Sequence, residues 1–171
     1  AQKQQFTDGI RTMAQQMRAL VERLLELARA ENARPQATFA PVCLSEVAET
    51  SALLFEAALY ERGLTLETQV EPELKVSGDE RQLGQLVEIL LENEGPALSP
   101  QQLQEIFKRF TRADPARTRS GSFGLGLAIA QAIVQAHHGK IWAESRDGRN
   151  TFHVELPLRT GREKHQETSE K

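Results

Sequence analysis

Cysteine occurs once in the 171 residues, at Cys43. A single thiol excludes an internal disulfide framework and any cysteine-based metal centre, and it fits a reducing compartment. No apolar run approaches the roughly 20 residues needed to cross a bilayer, and the N-terminus lacks the basic-then-apolar layout of a signal peptide. The chain therefore reads as soluble and cytoplasmic, without membrane contact of its own. A strong charge of one sign is also missing. The net charge is −3 and the basic residues are dispersed, which leaves no footprint for nucleic acid. The first residue is Ala1, not methionine, so the chain reads as part of a longer protein. Its length suits one ordinary domain with an appended helix.

What is present starts with a heptad seam. Phe6, Ile10, Met13, Met17, Leu20, Leu24 and Leu27 alternate spacings of four and three, and Val21 with Leu25 add a second stripe. The broad apolar face predicts one helix of a four-helix bundle, hence a homodimer through residues 6–27. The plain alternative is an amphipathic helix packed on its own domain. Residues 1–33 form this unit, and the proline-containing stretch 34–43 reads as a linker. A compact domain is expected over 44–159, and the charged tail 160–171 should be disordered.

Within the domain, Ser45 is placed to cap a helix that Gly63 ends. Alternation at Leu64, Leu66 and Val70 predicts a strand, with a second short one over 73–77. Asp79 and Gln82 resemble a capping box before the helical stripe of Leu83, Leu86, Val87, Leu90 and Leu91. Ser99-Pro100 with Gln102 starts another helix, with Leu103, Ile106 and Phe107 inward. The polar stretch 111–123 reads as a loop, after which an apolar helix runs to about His137. Strands over 140–145 and 151–158 flank an Asp147-Gly148 turn. Trp142 alternates with Ile141 and Ala143, which gives it a packing role.

An isolated Gly-x-Gly is weak evidence of a ligand. Here Gly121, Gly124 and Gly126 lie immediately before a helix, where free N–H groups and the helix dipole favour an anion and glycine permits close approach. Arg112, Arg117 and Arg119 lie just upstream and can add positive charge. That combination suits a polyphosphate.

The run Glu105-Ile-Phe-Lys-Arg-Phe110, then Arg112-Ala-Asp-Pro-Ala-Arg-Thr-Arg119, then Gly121-Ser-Phe-Gly-Leu-Gly-Leu-Ala-Ile-Ala130, resembles the phenylalanine box, ATP lid and second glycine box of sensor histidine kinases, members of the GHKL ATPases with the Bergerat fold. His138-Gly-Lys-Ile-Trp-Ala-Glu-Ser145 and Asn150-Thr-Phe-His-Val-Glu-Leu-Pro157 are similar to that family's closing strands. Leu24-Leu-Glu-Leu-Ala-Arg-Ala-Glu-Asn32 resembles the end of its second dimerisation helix. The resemblance implies an α+β fold, a two-layer sandwich of mixed sheet covered by helices on one face, preceded by a long helix of a dimeric bundle. It implies Mg-ATP as cofactor and nucleotide contacts from Asn93, Gly95, Ala97, Phe107, Phe110, Arg112, Arg117, Gly121, Gly124, Leu125, Gly126, Leu127 and Thr151, with Asn93 also a ligand to Mg²⁺. It further implies a response-regulator receiver domain as partner and a membrane-anchored parent sensor.

Two departures stand out. The N box resembles Leu90-Leu-Glu-Asn93 and the first glycine box resembles Asn93-Glu-Gly-Pro-Ala97, so Asn93 would have to serve both, and Ala97 replaces a glycine. Residues 94–98 suit a turn between helices, not the strand pair the family places there, so central strands are expected to be missing and adenine reading altered. The phosphoacceptor helix is also absent. His137, His138, His153 and His165 each read as structural or solvated, so the chain alone should lack a catalytic acceptor. The rival reading is a non-catalytic dimeric signalling module with a degenerate nucleotide fold.

Overall fold

The computed structural model describes residues 2–32, 39–92, 96–111 and 123–158. The order is α1 (Gln2–Glu31), β1 (Ala40–Cys43), α2 (Leu44–Glu61), β2 (Lys75–Gly78), α3 (Glu80–Glu92), α4 (Pro100–Glu105), α5 (Gly126–Ala136), β3 (Lys140–Arg146) and β4 (Arg149–Glu155). The fold is α+β, as expected. In place of one continuous mixed sheet, the described strands form two antiparallel pairs, β1 with β2 and β3 with β4. An isolated bridge between Val76 and Leu158 links the residues after β4 to β2.

α5 organises the core. It is apolar on nearly every side, and Ile129, Ala130, Ile133 and Val134 are fully buried. Such a helix must be covered all round. α3 lies on one side through Leu83, Leu86 and Ile89, and β3 contributes Ile141. α1 takes a further side, burying Leu27 and Ala30 with Leu20 partly covered. The lower end of α1 is thus part of the domain core, while its upper seam stays open, with Phe6, Met13 and Met17 exposed to 72%, 68% and 69%. The reading of an amphipathic helix packed on its own domain thus holds for the lower half of α1, and the upper half presents an uncovered apolar seam.

Several local expectations are corrected. Residues 40–43 are strand β1 and not linker, because Val42 pairs with Val76 and is buried in the core. Ser45 is no cap. α2 starts one residue earlier, and the Ser45 hydroxyl donates to the Glu71 carbonyl (2.6 Å) and accepts from the Leu74 N–H (3.0 Å), tying the helix to the chain before β2. Residues 64–70 form no strand. Leu64 is 40% exposed, and alternation without a neighbouring strand to complete the ladder leaves the backbone irregular. The Ser99 capping box forms in full, with Gln102 reciprocating at 2.9 Å, but α4 spans only Pro100–Glu105, so Phe107 lies beyond it. Of its expected inner face Ile106 is buried and Leu103 and Phe107 are half-buried.

The capping at Asp79 is half made. Its carboxylate accepts from the Gln82 N–H at 3.0 Å, but the Asp79 N–H donates to His137 Nε2 (3.1 Å) and not to Gln82. Gln82 Oε1 is left buried without a hydrogen-bond partner. The expected linker end and tail, residues 33–38 and 159–171, lie outside the described residues.

Candidate nucleotide site

The glycine run is built against the end of the phenylalanine segment. Gly124 has φ +68°, and a Cβ on it would fall 2.6 Å from the Thr111 carbonyl oxygen and 2.9 Å from the Phe110 carbonyl carbon. Only glycine meets both demands. Phe110 itself has φ +62° and is exposed. The two motifs that flank residues 112–122 therefore meet backbone to backbone.

Gly126 opens α5. A Cβ there would meet only Ile89 Cγ2 of α3, at 3.5 Å, an ordinary contact. Packing does not demand glycine at this position, so its bareness is free to admit something from outside. The N-cap, Leu125, offers no side-chain cap to the first turn, and its own side chain is buried in the core. Any part Leu125 takes in binding is through its backbone. Leu127 is half-buried in the first turn of α5. Unpaired first-turn N–H groups with no polar cap are what an anion would complete.

Ala97 is exposed in the short connection to α4. That connection is held by two residues of the β3–β4 hairpin that the sequence reading passed over. Asn150 donates to the Pro96 carbonyl (2.8 Å) and accepts from the Leu98 N–H (3.1 Å), and the Ser145 hydroxyl accepts from the same N–H (3.0 Å). Asn150 faces Ser145 across the hairpin. A polar pair beside a turn was the available signal. Thr151 is exposed on β4 opposite Glu144. Asn93, Gly95, Arg112, Arg117, Arg119 and Gly121 lie outside the described residues. Among the described residues no group of three or more His, Cys, Asp or Glu could hold a metal ion, and no helix is long and apolar enough to cross a membrane.

Ion pairs join α1 to both borders of this region. Arg109, in the phenylalanine segment, pairs with Glu31, and Arg23 reaches Glu26 (3.1 Å) and Glu92 (3.7 Å), the last residue of α3. Beside them an open cleft of about 860 Å³ runs between α1, α2 and α3. Charges of both signs line it, including Arg29, Lys75 and Arg81 against Glu46, Glu80 and Glu88. The glycine run and the two phenylalanines are not among its walls.

Of the four histidines His137 is buried and His138 exposed at the end of α5, and the half-buried His153 stacks on Trp142 across the hairpin at 4.8 Å. That contact gives Trp142 the packing role expected of it.

Residues 53–160 match the family model of the histidine kinase-, DNA gyrase B- and HSP90-like ATPases. The chain is 28% identical to sensor protein DltS of Streptococcus agalactiae, over 90% of this chain and 46% of DltS. It is 34% identical to the signal transduction histidine-protein kinase BaeS of Escherichia coli K12, over 81% of this chain and 36% of BaeS. It therefore spans less than half the length of these curated relatives. The solved structure of the mycobacterial sensor histidine kinase MprB superposes with a TM-score of 0.62 at 27% identity, covering 70% of this chain and 99% of that one. The similarity to DltS extends over 181 aligned positions while drawing on 90% of the 171 residues here, about 154, so about 27 of those positions have no residue in this chain.

Proposed function

The chain belongs to the sensor histidine kinases of the histidine kinase-, DNA gyrase B- and HSP90-like ATPase family, and on that premise we propose that it is the catalytic portion of a two-component sensor that binds Mg-ATP for phosphoryl transfer to a histidine upstream. The observation that carries this reading is the bare, uncapped start of α5 at Gly126 beside Gly124 locked onto Phe110 and Thr111. The phosphates would lie on the first-turn N–H groups of α5, with Arg112, Arg117 and Gly121 proposed as further contacts. Positioning and charge stabilisation are most of what a phosphoryl-transfer site contributes, and both are supplied here by fixed backbone. Mg²⁺, held by the amide oxygen of Asn93, would neutralise charge on the transferred group. Ala97 in place of a glycine and the short 94–98 connection leave adenine weakly read.

Without an acceptor helix the chain should not phosphorylate itself. The exposed upper part of the seam, from Phe6 to Met17, supports a homodimer within residues 6–27, and a receiver domain would take the phosphoryl group from the completed parent, a sensor anchored in the membrane with this part in the cytoplasm. A specific observation favours a second reading. The positions absent relative to DltS, and the direct connection held by Asn150, suit a non-catalytic dimeric module. A radiolabel assay separates the two. Joined to an upstream histidine helix in one chain, the kinase reading expects acid-labile, base-stable label from Mg-ATP, lost in Asn93→Ala. No label on the extended chain would favour the non-catalytic module.

A further inference from the structure

His137 is the one buried histidine among the described residues, 3% exposed, and phosphoryl transfer as proposed above gives it no role. It sits just after α5. Its Nδ1 lies 2.8 Å from the Ile133 carbonyl and must donate, while its Nε2 faces the Asp79 N–H at 3.1 Å and must accept. The two contacts fix a neutral ring with its proton on Nδ1. Phe39 stacks on one face at 4.5 Å. Gly78 lies so close that a Cβ on it would fall 2.7 Å from the ring. Both ring nitrogens, one face and the edge at Cδ2 are therefore specified.

The position of the ring in the fold gives this a consequence. α3 and α5 pack side by side, with the start of α3 and the end of α5 meeting at His137. At their other ends Gly126 faces Ile89, whose Cγ2 would lie 3.5 Å from a Cβ placed on that glycine, and α3 ends at the residue before Asn93. The rigid α5 separates the two places by about 15 Å. We propose that His137 is a positioning residue for the nucleotide site, a clip that holds the start of α3 to the end of α5 so that the glycine box and the end of α3 stay in register. This rests on the nucleotide reading given above.

The clip is sensitive to protons by construction. A proton on Nε2 turns an accepted hydrogen bond into two N–H groups facing each other. Of the charged or titratable groups that face the ring, Asp79 favours the added charge and His138 opposes it; Phe39 and Gly78 carry none. The Asp79 carboxylate already caps Gln82, and swinging it to the ring would undo that cap. Acid should therefore loosen the contact between α3 and α5 and, through the length of α5, the phosphate end.

The test follows the intact chain by NMR from pH 8 to 5, together with Mg-ADP affinity, in wild type and in His137→Gln, whose side-chain oxygen can still accept from Asp79 but does not titrate. The proposal expects the Gly126 amide resonance to move with the midpoint of the His137 ring in wild type and to stay flat in His137→Gln. Affinity should fall by about threefold or more between pH 7.5 and 5.5 in wild type beyond any fall in the variant, proton uptake by the nucleotide being common to both. A Gly126 resonance that ignores the ring titration would overturn the proposal, and so would identical pH profiles of affinity. If wild type binds no nucleotide at pH 7.5, the functional reading fails, while the resonance coupling still decides the clip.

Discussion

At Gly124 a positive φ and a backbone contact coincide, so Gly124→Ala adds strain of about 1–2 kcal/mol for the left-handed residue and a clash with Thr111 on top of it. Chemical denaturation should report a loss of at least that size. Gly126→Ala differs, because its methyl would rest at ordinary distance on Ile89. Stability should stay level or rise by about 0.5–1 kcal/mol, as for glycine to alanine in a helix, while nucleotide affinity falls. Equal losses of stability in the two variants would remove the distinction between a structural and a ligand-facing glycine. His137 gives a pH dependence whose sign is fixed. Burial, the largest influence, lowers its pKa below the usual imidazole value near 6.5, with the Ile133 carbonyl and Asp79 opposing. The unfolded chain then takes up the proton first. Stability from this group is full above about 6.5, falls as pH drops below that value, and levels off once the folded ring is protonated. Denaturation of wild type should show that fall, and His137→Gln should reduce it.

Helix α1 divides into a half packed on the core and a half left exposed. Leu20 and Leu27 pack on the core, so lysine at Leu20 would damage the domain as well as any interface. Ile10 and Met17 are exposed and answer the question of self-association alone. Ile10→Lys with Met17→Lys should leave thermal unfolding unchanged and convert dimers to monomers in sedimentation; a wild-type chain that stays monomeric at high concentration contradicts the dimer. Leu27→Ala should instead cost about 2–5 kcal/mol of domain stability. The seam was legible because heptad spacing is local. Which half packs inward was not, since it depends on α5 needing cover. Caps at Asp79 and Ser99 and the Asp147-Gly148 hairpin were legible for the same local reason. β1 was missed because four residues containing a proline become a strand only through Lys75–Gly78, far along the chain. The strand expected at 64–70 failed in the opposite way, with the right period and no partner. Asn150 and Ser145 escaped notice because their task is set by the loop they hold.

Across the whole molecule, about 27 aligned positions of DltS have no residue here, and only residues 93–99 join α3 to α4, while Gly124 and Gly126 still stand at the start of α5. The described strands then close as two separate pairs, and α1 covers a side of α5. Under the function proposed for the chain, that architecture would make phosphate contacts the main source of affinity and leave the base little to bind. Calorimetric titration of Mg-ATP and Mg-GTP into the intact chain tests this most directly. Weak binding of similar strength for both, reduced in Gly126→Ala, is the predicted result; no binding of either nucleotide, or tight binding with a strong preference for adenine, would contradict it.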